Sequence, residues 1–220
     1  GTGEPDTQLL EALRDHLEGF DIEPEERIPV ALRATLQSAI GSAGRVRDRF
    51  SVDGWMALND LAKTARRMSA TVTAGEDEAH AMGVLLRKIT GFSGLVHENM
   101  YRSNGWRFLT IGRSLERAAS MASLLARFAD EAAPEGALDL TVEVGDSAMS
   151  HRRRYSISTT RETVIDLLAM DTVNPRSILY HLAELREQIG LLPGDDGPAA
   201  RSPLARAALQ LHAGLAVRTP

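Results

Sequence analysis

A chain of 220 residues, 43% hydrophobic and 25% charged, can bury a core and is too apolar to be disordered throughout. It has no cysteine, which excludes disulfides, thiolate catalysis and cysteine-ligated zinc. A net charge of −5 gives no global attraction to nucleic acid, so nucleic acid is not an expected partner.

Aromatic residues are only 5% of the chain, so the core must come from Leu, Ala, Ile, Val and Met, which suit helix packing. Lys63 and Lys88 are the only lysines among 25 basic residues, and the rest are arginines, the better residue for gripping carboxylates and phosphates. No apolar run approaches the ~20 residues that span a bilayer, and no signal peptide opens the chain. A cytoplasmic location without a membrane partner is expected.

Residues 1–5 read as a tag or a disordered end. Leu9, Leu10, Leu13 and Leu17 then trace a helical face, and Asp21 to Arg27 form an acidic loop. Pro29 suits a first helical turn, followed by the stripe Leu32, Leu36, Ile40, Ala43 and Val46. Ser51 or Asp53 can cap a helix carrying Trp55, Leu58, Leu61, Ala65, Met68 and Val72.

A long helix is expected from Asp77 to about Tyr101, with Leu85, Leu86, Ile89, Phe92 and Leu95. Gly91 and Gly94 interrupt it, each less favourable than alanine by ~1 kcal/mol, and predict a kink or a close helix crossing. Asn104 can cap the strongest helix, Trp106 to Asp130. Leu138 to Val144 alternates like a strand, but a lone strand has nothing to pair with, so helix is predicted.

Arg161 to Met170 reads as a short helix. Asn174 and Pro175 read as the N-cap and first turn of another, through Ile178, Leu182, Leu185 and Ile189. The proline and apolar spacing here echo the segment from Ile28. The expectation is an all-α protein, an antiparallel multi-helix bundle of about seven to nine helices. Residues 6–192 would form the bundle, 193–203 a linker, and 204–217 a terminal helix packed on it.

The segment Gly105-Trp106-Arg107-Phe108-Leu109-Thr110-Ile111-Gly112-Arg113-Ser114-Leu115-Glu116-Arg117-Ala118 resembles the alpha-E family, bacterial helical domains named for a Glu-Arg motif, here Glu116-Arg117. Gly94 to Met100, Ser147 to Tyr155 and Asn174 to Ser177 support the likeness, which extends from about Ile28 to Leu192. Two features depart from the family pattern: no earlier Glu-Arg helix is found near the N-terminus, and isoleucine stands at position 28 in place of an asparagine cap. The chain is thus expected to be the larger part of a duplicated helical domain.

The resemblance implies company more than chemistry. Such domains are fused to, or encoded beside, circularly permuted ATP-grasp ligases, with transglutaminase-like peptidases and a proteasome-like hydrolase in the same settings. Apolar stripes left uncovered by a missing first portion would be covered by another chain, or stay exposed and prone to association, self-association included. No activity, and hence no catalytic residue or cofactor, carries over.

The polar cluster expected to matter comprises Glu98, Arg113, Glu116, Arg117, Arg153 and Arg154, with His97, His151, Tyr155, Asn174 and Arg176 as secondary candidates. Glu116 shares a face with Leu109, Gly112, Ala119 and Ser123, small enough for a neighbouring helix to enclose it. Arg113 at i−3 is its expected ion-pair partner, most simply a device that fixes packing. His97, Glu98, Glu116 and His151 lack the Glu-x-x-His repeat of bundle metal sites, so no metal is expected. Arg152 to Arg154 would spread around a helix, one or two answering Glu98 or Glu116, and Tyr155 is placed to stack on a base. Arg45, Arg47 and Arg49 would scatter likewise. No nucleophile elbow or phosphate-binding loop occurs.

These features favour a non-catalytic accessory or substrate-presenting module of an ATP-grasp-type amide or peptide ligase. The alternatives are an enzyme or ligand-binding domain using the Glu-Arg cluster on an anionic or peptide substrate, and an RNA-binding helical domain.

Overall fold

The computed structural model describes residues 30–72, 76–155, 158–193 and 202–219. Among them are nine α-helices and no strand, so the all-α expectation holds. The expected end at residues 1–5, the first helix, the acidic loop, Pro29 and most of the 193–203 linker lie outside the described residues. The described chain forms two compact units, residues 30–102 and residues 103–219.

In the first unit, α1 (Val30–Arg45) leads through a 3-10 turn (Arg47–Arg49) to α2 (Val52–Thr71) and α3 (Glu76–Asn99). Ser51 caps α2, its hydroxyl accepting the Gly54 amide at 3.0 Å. The i, i+3, i+7 spacing of Leu58, Leu61 and Ala65 puts all three on one face of α2. There they are buried with Leu36 and Ala43 of α1 and Leu85 of α3, and Leu32, Ile40, Trp55 and Phe92 pack around them. Lys88 of α3 binds Asp60 of α2, holding that carboxyl below its usual range.

Two expectations fail here. Leu86 and Ile89 are exposed, so the buried face of α3 is narrower than the apolar pattern suggests. Gly91 and Gly94 mark no close crossing: the helix runs through both, and an added Cβ would meet nothing within 4 Å.

The second unit holds α4 (Asn104–Phe128), α5 (Ala137–Val144), α6 (Ala148–Tyr155), α7 (Arg161–Ile165), α8 (Ile178–Gly190) and α9 (Pro203–Ala216). The α4 cap is Ser103 rather than Asn104, which is the first helical residue. Leu138 to Val144 is helical, as predicted, and buries Ala137, Thr141 and Val142 on one helical face. Helix α7 continues as a π-helical turn, Asp166–Met170, whose Leu167, Leu168 and Ala169 are all buried. Gly145 packs against this turn: a Cβ there would stand 3.0 Å from the Leu168 side chain.

Asn174 does not cap α8. Ser177 does, accepting the Tyr180 amide at 3.1 Å. Asn174 instead closes a turn, accepting the Arg176 amide at 3.0 Å and donating to the Leu167 carbonyl at 2.9 Å. Pro203 belongs to α9, as its first residue, with Ser202 as cap. Ala208 of α9 is buried against Leu182, Leu185 and Ile189 of α8, so the terminal helix packs on its predecessor.

Candidate functional site

Glu116 and Arg117 are neighbours on α4, about 100° apart around the axis, and they lead to different surroundings. Ser114, Ala118 and Leu125 form the buried side of the helix. Arg117 lies at the edge of that side and is half-buried, whereas Glu116 and Arg113 are exposed. Glu116 makes no ion pair or side-chain hydrogen bond among the described residues. The expected enclosed pair with Arg113 is therefore absent. The cause is rotational: the small residues Gly112, Ala119 and Ser123 line the exposed side of α4, and a Cβ at Gly112 would meet nothing within 4 Å.

The packed side of α4 lies against α8. At one end of this seam Arg107 donates to Gln188 Oε1 at 3.3 Å, and Gln188 donates to Glu184 Oε1 at 3.1 Å. Toward the other end stands His181, only 3% exposed, with the Tyr180 ring edge-on at 5.4 Å. Neither ring nitrogen of His181 has a hydrogen-bond partner. Burial first, then the Arg117 guanidinium, push its pKa down to about 4; Arg113 and Arg176 add to this, and the Pro175 carbonyl, outside hydrogen-bonding geometry, works the other way. Arg117 is itself held below its ordinary value by burial, then by Arg113 and Arg176. Arg176 pairs with Asp146.

The Arg152 to Arg154 run behaves differently from expectation. Arg154 answers neither Glu98 nor Glu116 but grips Asp166 at 2.9 Å and Asp171 at 2.5 Å. Tyr155 donates its hydroxyl to Asp166, and its ring lies 5.3 Å from the Arg154 guanidinium carbon. Burial, then Asp166, raise the Tyr155 pKa above the phenol range. The ring and hydroxyl expected to stack on a base are thus occupied in a strut joining α6 to the π turn. Arg152 and Arg153 are exposed on α6.

His151 is buried on the same strut, its Nε2 2.9 Å from Thr163 Oγ1. That hydroxyl also serves a capping box with Thr160, so it is a helix cap rather than an activated nucleophile. His97 and Glu98 are exposed at the end of α3, in the first unit, where the His97 carbonyl accepts from Arg102 at 2.6 Å. Among the described residues no three His, Asp or Glu side chains stand together as a metal site would require. Arg45, Arg47 and Arg49 scatter to Ser42, the Trp55 ring and Asp48 respectively.

The buried polar residues His181 and Gln188 were not among the sequence candidates. A signal for them existed. They stand seven residues apart, inside the stripe Ile178, Leu182, Leu185 and Ile189, where polar residues at core positions are unusual.

Among the described residues no helix is long and apolar enough to cross a membrane. The chain is similar to uncharacterised proteins of Mycobacterium bovis and of two strains of Mycobacterium tuberculosis, each 28% identical over 177 residues and covering 77% of this chain. It spans only about a fifth (20%) of the length of these curated relatives. No solved structure matches it. The family model Alpha-E, described as a predicted alpha-helical domain with a conserved ER motif, matches residues 23–220. The chain therefore belongs to the Alpha-E family.

Proposed function

We propose that this is a non-catalytic accessory module, cytoplasmic, that docks onto an ATP-grasp-type amide or peptide ligase, fused or separate, and helps present its substrate. The observation that carries the reading is the outer face of α4. Phe108 (62% exposed), Leu109 (36%) and Leu115 (56%) stand outside the packed side of the helix, as Glu116 and Arg113 do. Three exposed apolar side chains on one short stretch of helix suit a protein–protein contact better than a solvated surface. Relatives about five times longer than the matched segment agree with a domain that works as part of a larger assembly.

The test is direct binding between the purified domain and a ligase encoded beside it, by titration calorimetry, with ligase turnover as a second readout. Binding should be lost with Leu115→Asp, which leaves the buried face of α4 untouched. A ligase that neither binds the domain nor changes its rate would reject the proposal. The same assay with a transglutaminase-like peptidase, and light scattering of the domain alone, would reveal instead a peptidase partner or a self-associating face.

A further inference from the structure

We propose that the α4–α8 seam around His181 binds a compact oxyanion, a carboxylate or a phosphate group, gripped by Arg117 with Arg113 and Arg176 beside it. Arg113 and Arg117 are four residues apart on α4, where like charges repel. Arg117 is half-buried, and no carboxylate among the described residues pairs with it. A guanidinium carries five donors, and withdrawing them from water unanswered is unfavourable. His181 repeats the pattern, nine-tenths buried and more, with both ring nitrogens unanswered. Asp146 is the carboxylate bound within this group, and it is taken by Arg176.

The backbone adds charge of the same sign. His181 lies in the first turn of α8, a helix of 13 residues, and helical side chains lean toward the N-terminus, where amide dipoles favour anions. Arg117, Arg113 and Arg176 all act on His181 electrostatically, and Asp146, bound by Arg176, is the one carboxylate paired among them. An arriving oxyanion would give Arg117 a planar acceptor and His181 a hydrogen-bond partner. It would also favour the imidazolium against burial and against Arg117, Arg113 and Arg176. Binding should therefore raise the His181 pKa and take up part of a proton only in the acid range, between its free and bound values.

This inference does not depend on the ligase reading, and its test contains no ligase. The isotopically labelled chain is titrated with inorganic phosphate and separately with acetate, while the ring resonances of His181 are followed by NMR against pH; sodium chloride controls for ionic strength. A saturable shift of the His181 resonances is expected, with its pKa rising by about one unit or more. Arg117→Gln should weaken binding by about tenfold or more, and Arg49→Gln, which removes an exposed arginine of the first unit, should leave it unchanged. Saturation by phosphate alone would assign a phosphoryl ligand, and by acetate alone a carboxylate. If Arg117→Gln does not fold, Arg113→Gln, on the exposed side, takes its place and should also weaken binding. Shifts no larger than those with chloride, or equal binding by the arginine variant, would overturn the proposal.

Discussion

The second unit contains two arginine-rich groups built from the same materials with opposite balances. In the strut, Arg154 and Tyr155 face Asp166 and Asp171, and each polar group has a partner. In the α4–α8 seam, Arg117 and His181 have no carboxylate partner, and Arg113 and Arg176 add positive charge to both. The first arrangement holds helices together. The second opposes itself electrostatically, and a fold retains such a group more readily when something else supplies the missing charge.

The comparison breaks most visibly at Asp171, whose side chain is 8% exposed and accepts from Arg154 and from the Val173 amide at 2.8 Å. Asp171→Ala should lower stability by about 3 kcal/mol in urea unfolding, because it leaves a cation and a turn amide unanswered. Wild-type stability near that of the variant would mean the strut holds nothing.

Next in size is a pH effect from the seam. The His181 pKa is depressed to about 4 in the folded chain, against an ordinary 6.5. Between those values the unfolded chain binds the proton and the folded chain does not, so stability falls as pH drops from 6.5 toward 4. The loss should approach about 3 kcal/mol at pH 4. His181→Leu should flatten that part of the urea-derived stability profile; an unchanged slope would place the titration elsewhere.

A paired comparison sharpens the contrast further. Arg154→Met should destabilise by about 1–2 kcal/mol, since Asp166 and Asp171 lose their cation. Arg117→Met should be neutral or stabilise by up to about 1 kcal/mol in anion-free buffer, because it removes an unpaired half-buried charge. Thermal melts giving the same sign for both would erase the distinction. The smallest effect belongs to Glu116→Gln, within about 0.5 kcal/mol, as expected for an exposed, unpaired side chain.

Much of the fold was legible because helix formation is local. Ser51 marks a helix start by chemistry acting within one turn, and the stripe of α2 names its own buried face. The argument that a lone strand has no partner placed Leu138 to Val144 correctly in a helix. Ser177 displaced Asn174 as a cap because Asn174 is spent on the Leu167 carbonyl and the Arg176 amide, and the first of these partners is seven residues away. Gly91 and Gly94 misled because glycine permits close approach without requiring it.

The site was harder to read, and α4 shows why. It carries apolar residues on two sides, Phe108 and Leu115 on one and Leu124 and Leu125 on another, so periodicity establishes a helix without choosing its inner face. That choice falls to α8, which supplies the matching stripe, and it sends Glu116 outward and Arg117 to the seam. Whether an arginine is paired is likewise non-local: Arg154 finds Asp171 17 residues on, whereas Arg117 finds only other cations. The sequence by itself determined most of the helices and the excess of arginine, because each rests on composition or on contacts within a turn. Tertiary structure alone decided which charges meet, because Coulomb energy and burial depend on neighbours brought together from distant parts of the chain.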